Sequence, residues 1–173
     1  MNLARHCELC DNQKTDLKVG TTCGLTGRKP EFNKTCANIQ LNEKFENKLK
    51  MVNIEYQNFK RKKVLTYSYF VVFIGIGILV IVGGYLLGKY ALDSRVISTV
   101  PLIIMSVGLA LLGMAFGTLN KYKQDIEVAK SKKSKIEEVL SEYRIEYEID
   151  VIFGKKIHGT QEVYAELKTK GVR

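Results

Sequence analysis

Cys7, Cys10, Cys23 and Cys36 are the four cysteines of this 173-residue chain, and all lie near one end of it. Their spacing is Cys7-x2-Cys10, then twelve residues to Cys23 and twelve more to Cys36. A Cys-x2-Cys turn lets two thiolates reach one ion. Gly20, Gly24, Gly27 and Pro30 supply turns that return the other two. Four thiolates suit tetrahedral Zn²⁺ at about 2.3 Å. The large apolar side chains of residues 1 to 36 are only Leu3, Leu9, Leu17, Val19, Leu25 and Phe32. These are too few to offset the ordering entropy of the segment, whereas a structural zinc contributes about 10 kcal/mol or more to folding. The expected cofactor is therefore one structural Zn²⁺ on Cys7, Cys10, Cys23 and Cys36, with His6 as a substitute ligand. Unligated thiols and a redox or iron–sulfur role are the other readings of the same residues.

The elements around this cluster are unusual. Val64 to Gly88 and Val96 to Asn120 are charge-free runs of 25 residues each. At a rise of about 1.5 Å per residue each extends roughly 37 Å, more than the hydrocarbon core of about 30 Å. Both are expected to span a membrane as a tight hairpin. No short apolar segment with a cleavage site precedes them, so a signal peptide is not expected. "KRKK" (Lys60 to Lys63) precedes the first run, and Lys121, Lys123, Lys130, Lys132, Lys133 and Lys135 follow the second. Basic residues are retained inside the cell, which predicts cytoplasmic termini and accounts for the net charge of +9. The expected partners are the bilayer and anionic lipid head groups, each cation near the surface contributing about 1 kcal/mol. Cytoplasmic thiols seldom persist as disulfides, which favours metal. The basic residues are not interleaved with aromatic residues, so nucleic acid is not an expected partner.

The segment Gly20-x2-Cys23-Gly24-Leu25-Thr26-Gly27-x-Lys29-Pro30-x-Phe32-x2-Thr35-Cys36, preceded by Cys7-x2-Cys10, resembles a cysteine motif of small, uncharacterised bacterial two-span membrane proteins. The resemblance covers residues 7–36. It implies a bacterial inner-membrane setting with cytoplasmic cysteines, and it implies no activity.

Phe45, Leu49, Val52, Tyr56 and Phe59 alternate at spacings of four and three, as do Ile126, Ala129, Lys133, Ile136, Leu140 and Tyr143. This heptad spacing gives each helix one narrow apolar seam. It predicts either a paired stalk or two surface helices packing elsewhere. "RIEYEIDVIFG" alternates as a half-buried strand with Ile145, Tyr147, Ile149, Val151 and Phe153 on one face. Its expected partner is a strand near Ile157, the cysteine segment near Val19, or a neighbouring chain. "TQEVYAELKTKG" reads as a helix capped by Thr160, with Val163 and Leu167 on one face and Gly171 as stop.

Gly84-x3-Gly88 and Gly113-x3-Gly117 match the small-x3-small pattern of close helix approach. Antiparallel pairing puts them at opposite depths, so at least one is expected to meet another chain in a homo-oligomer. No ionisable residue lies within either run, which argues against a secondary transporter. Enzyme signatures are also missing.

The expected fold is a mainly α membrane protein with a two-span transmembrane hairpin continued by cytoplasmic antiparallel helices. A small zinc-ribbon-like module precedes it and a short α/β tail follows. The segments are 1–38 (cysteine module), 39–63 (amphipathic helix), 64–88 (first span), 89–95 (periplasmic loop), 96–120 (second span), 121–143 (amphipathic helix) and 144–173 (strand-plus-helix tail). The expected function is a homo-oligomeric scaffold or interaction protein, not an enzyme, with its protein partner unassigned. The alternatives are a ring-forming channel or membrane effector lined by Thr66, Ser68, Thr99, Ser106 and Thr118, and a thiol or metal sensor. The layout resembles the two-span pore-forming effectors of bacterial conflict systems in topology.

Overall fold

The structure is a computed structural model that describes residues 3–91, 99–157 and 160–171. The elements run α1 (Ala4–Cys7), β1 (Gln13–Asp16), β2 (Gly20–Cys23), α2 (Glu43–Leu86), a π-helical turn (Leu87–Ala91), α3 (Thr99–Glu142), β3 (Glu146–Ile157) and β4 (Thr160–Lys170). Two compact units result, one of Met1–Asn58 with Val128–Arg173 and one of Phe59–Glu127.

In the first unit both ends of the sequence share one core. Leu9 from the cysteine segment is buried with Leu41, Phe45, Leu49 and Val52 before or on α2, Ile136, Val139 and Leu140 on α3, and Ile145. Of the apolar side chains of the first 36 residues, Leu9 is 1 % exposed while Leu17 stands fully in solvent. A cysteine segment that contributes one such leucine needs other ties to hold its shape.

The seam positions Phe45, Leu49 and Val52 on α2 and Ala129, Ile136 and Leu140 on α3 are buried. Asn53 is buried beside them, its Nδ2 donating to the Leu49 carbonyl at 2.9 Å. Glu43 and Glu46 in the first turn of α2 complement the positive end of the helix dipole. α3 ends where Arg144 adopts φ 56°, and the Ile145 N–H closes back on the Leu140 carbonyl at 3.0 Å. This left-handed stop satisfies a terminal carbonyl and turns the chain directly into β3.

β3 and β4 form an antiparallel hairpin with Glu146 opposite Lys170, Ile149 opposite Leu167 and Phe153 opposite Val163. The register shifts between Phe153 and Lys156. The helix expected from Thr160 to Gly171 is therefore a strand, and the tail is a β-hairpin, not an α/β unit. Val163 and Leu167 fit a helical face, but with Ala165 and Thr169 between and after them they fit an alternating strand equally well. β3 supplies a ladder of backbone partners for the whole segment, and pairing decides between the two periods. Of the three partners expected for β3, the strand near Ile157 is the one found, since β4 starts at Thr160 opposite Ile157 and runs on to Lys170. Gly171, at φ +90°, lies where a Cβ would come within 2.8 Å of the Arg144 carbonyl oxygen.

The second unit holds the charge-free stretches of α2 and α3. By length and composition both helices could cross a membrane, and only 11 % of the most apolar window of each is buried. Val71, Leu79, Val82, Leu102, Leu109 and Phe116 are among the exposed residues. The two stretches are antiparallel, as the edge-on ring pairs Tyr67–Tyr122 and Phe70–Phe116 require. They approach closely at Gly77 and Gly108. A Cβ on Gly77 would lie 2.7 Å from Leu112 Cδ2, and one on Gly108 would lie 2.6 Å from Ile81 Cγ1 and 2.9 Å from the Gly77 oxygen. Gly84 packs on Ile104 and Met105, and Gly88 on Pro101, whereas nothing lies within 4 Å of a Cβ built at Gly113 or Gly117. Pro101 sits in the first turn of α3, where a missing N–H has no carbonyl to serve. Most of the expected 89–95 loop lies outside the described residues.

Candidate metal centre

The cysteine segment is built from two tight turns and a short hairpin. Cys7 closes α1, and the Cys10 N–H donates to the Cys7 carbonyl at 3.1 Å, which folds Cys7-x2-Cys10 into a knuckle. The Gln13 N–H returns to the Cys10 carbonyl and starts β1, which pairs with β2 from Gln13–Cys23 to Asp16–Gly20. Asp16 Oδ1 accepts the N–H groups of Lys18 at 2.7 Å and Val19 at 3.1 Å, holding the connecting turn. Gly20 (φ +84°) ends that turn, a backbone region that side chains disfavour.

A second knuckle follows Cys23. The Gly27 N–H donates to the Cys23 carbonyl at 2.8 Å, the Cys23 N–H to the Arg28 carbonyl at 2.9 Å, and Gly27 itself has φ +67°. Gly24 passes so near β1 that its N–H meets the Asn12 oxygen at 2.6 Å, and a Cβ there would be 2.9 Å from the same oxygen. The Gly-x2-Gly frame around Cys23 is thus a steric requirement.

These turns bring all four cysteines, with His6, around one cavity of about 20 Å³. That is room for a single small species. Cys10 is buried and Cys7, Cys23 and Cys36 are half-buried. Burial pushes the Cys7 thiol up, and the neighbouring Cys10, Cys36 and Cys23 add to the rise against Lys44. The Cys23 thiol is lowered, first by the Leu25 and then by the Thr26 backbone N–H groups that reach its sulfur. Cys10 Sγ accepts the Gln40 N–H at 3.4 Å. The donor set is soft, neutral when protonated and free of carboxylates at the cavity wall, which fits a thiophilic ion such as Zn²⁺. The fit is one of donor chemistry and convergence. Among the described residues no group of three or more His, Cys, Asp or Glu side chains stands in ligating geometry.

The cavity is lined by residues between His6 and Ile39, and side chains from distant parts of the chain bond to that lining. Tyr143, just beyond α3, accepts the Cys36 N–H on its hydroxyl at 2.9 Å and meets His6 Nδ1 at 3.1 Å. His6 is 3 % exposed, its ring edge-on to Phe32 and Tyr143 at centroid distances of 5.2 and 5.6 Å. Burial holds its pKa below the usual histidine value, against the opposing fields of Glu142 and Glu138. Because Nδ1 is taken by Tyr143, only Nε2 of His6 is left to act as a substitute ligand. Lys44 on α2 donates to the Cys10 carbonyl at 3.2 Å and also bonds Gln13 Oε1. Arg5–Glu138 at 3.3 Å and Lys48–Glu8 at 2.8 Å tie the segment to α3 and α2.

Spacing alone points to the four cysteines and to none of these supports. Tyr143 reads as the last seam residue. The available signal was its hydroxyl, since a tyrosine at the end of an apolar stripe brings a polar group that needs a partner.

Three hydroxyls of the apolar helices are used locally. Thr66 donates to the Lys62 carbonyl at 3.0 Å, Ser106 to Ile103 at 2.7 Å and Thr118 to Ala115 at 2.9 Å. The fold and site therefore define a mostly helical protein with two helices long and apolar enough to cross a membrane, a cysteine-lined cavity and a small β-hairpin tail. Compared with protein-family models, with curated proteins and with solved structures, the chain matches none.

Proposed function

We propose that this protein is a bacterial inner-membrane scaffold, homo-oligomeric, whose cytoplasmic unit is stapled by one structural Zn²⁺ on Cys7, Cys10, Cys23 and Cys36. The observation that carries this reading is the wall of the cysteine cavity. Four thiols from a segment with a single leucine in the core face one cavity, and the Tyr143 hydroxyl just beyond α3 accepts the backbone N–H of Cys36. An ion there organises a platform assembled from both ends of the chain. Four thiolates fill a tetrahedral shell and leave no position for a reacting water, so the metal's role is structural.

Both termini face the cytoplasm, with Lys60 to Lys63 and the lysines after Asn120 against anionic head groups. Two helices so little buried in their own chain leave apolar surface for lipid and for other copies. Gly113 and Gly117, open to a distance of 4 Å, offer one face for such a contact. The self-bonded hydroxyls of Thr66, Ser106 and Thr118 favour the scaffold over a water-lined channel.

Metal analysis of the full-length protein in detergent, paired with ion flux from liposomes, tests this reading. One zinc per chain and silence at high protein density are expected. A metal-free protein with an ordered cysteine segment would remove the zinc, and leakage would replace the scaffold by a channel.

A further inference from the structure

Tyr143 makes contacts that a seam residue has no use for. Its hydroxyl accepts the backbone N–H of Cys36 at 2.9 Å and also meets His6 Nδ1 at 3.1 Å. It therefore grips the cysteine segment at both of its ends, beside Cys7 and at Cys36, while its own position follows from the left-handed stop of α3 at Arg144. The main-chain atom it holds belongs to the one cysteine that lies outside both knuckles. Cys7 and Cys10 are fixed by their shared turn and Cys23 by its glycine frame. The stretch around Cys36 carries no helix or strand, and the Tyr143 hydroxyl is what its amide bonds to.

We propose that Tyr143 is a positioning residue of the cysteine centre, so that metal loading and the packing of the α3 terminus form one equilibrium. This rests on the metal reading given above. It goes beyond that reading by assigning a residue 107 positions from Cys36 to the centre, and by making the α3 terminus responsive to metal. Outer partners of metal ligands commonly change affinity by about 10–100-fold when removed. Linkage is reciprocal: whatever Tyr143 contributes to metal affinity, metal contributes equally to the Tyr143 contact.

The test uses the full-length protein in detergent with Zn²⁺ and Co²⁺ as probes. Tyr143→Phe keeps the ring and deletes the hydroxyl. Tyr147→Phe makes the same deletion in the same unit away from the cavity, where Tyr147 bonds Glu137 at 2.8 Å. The expected result is one metal per chain in all three proteins, with affinity about 10–100-fold lower in Tyr143→Phe alone and a changed Co²⁺ thiolate spectrum in that variant. Wild-type affinity and an unchanged spectrum in Tyr143→Phe would overturn the proposal while leaving the metal reading intact. A wild-type protein that binds neither ion would overturn the metal reading itself. Hydrogen exchange on the unmutated protein gives an answer even if the variant fails to fold. Chelation should speed exchange at the Cys36 and Ile145 amides together, and acceleration at Cys36 with Ile145 unchanged would break the coupling.

Discussion

Individual side chains in the unit that holds the cysteines have measurable signatures. Cys10 is the buried member of the cysteine set, and its sulfur and carbonyl both hold neighbours in place. Cys10→Ser is expected to abolish zinc retention and release the segment, read as loss of dispersed amide resonances for residues 3–38. Gly24→Ala forces a Cβ against the Asn12 oxygen at 2.9 Å; it should weaken metal retention through the backbone, although no ligand is altered. Tyr147 carries a pH signature. Burial first, and then its hydrogen bond to Glu137, push its phenol up to about 12. A group whose folded pKa is raised stabilises fully below its unfolded value, about 10 for tyrosine, and that contribution is lost as pH rises through the folded value. Stability should therefore fall between about pH 10 and pH 12 through this residue. The ultraviolet difference between wild type and Tyr147→Phe should show one late-titrating phenolate. A phenolate that titrates with the exposed tyrosines would contradict this.

Among the elements, the glycines of α2 and α3 separate into two groups with opposite expected phenotypes. Gly77 and Gly108 are pressed against the opposite helix, so Gly108→Leu overpacks the hairpin, a change that typically costs about 1–3 kcal/mol. Gly113→Leu with Gly117→Leu meets open space and should leave the hairpin folded while changing the oligomer on native gels. If the oligomer is unchanged, that face is not the contact. Leu49→Ala in the shared core should cost about 2–5 kcal/mol. The elements also show what a sequence carries. The charge-free runs are legible because helix length and the absence of charge are both linear properties. The buried seam of Phe45, Leu49, Val52, Ile136 and Leu140 is legible because helical period and burial coincide there. β4 is not, because Val163 and Leu167 satisfy two periods and only a partner strand chooses between them. The cysteines declare themselves by spacing. Tyr143, Lys44 and the Asn12–Gln40 pair do not, since they join the site through tertiary contacts.

For the whole molecule, orientation and lipid contact belong to the proposed reading. A membrane-impermeant thiol reagent applied from the periplasm should leave Cys23 untouched in intact cells and modify it after permeabilisation. Modification without permeabilisation would reverse the topology. Association of the basic flanks with anionic vesicles should fall as salt is raised, because exposed charge is screened beyond about 10 Å at 0.1 M.

The bond between Cys36 and Tyr143 also has a bearing on biosynthesis. The two residues are 107 positions apart. At about 5–20 residues per second the ribosome needs roughly 5–20 s to make the intervening chain. During that interval the nascent cysteine segment exists without its clasp, while both apolar helices are being synthesised. A nascent chain stalled ahead of Tyr143 should expose Cys36 to alkylation, and one stalled well beyond it should not. Formation of that bond would then mark the moment when both apolar helices ahead of Tyr143 have been completely translated.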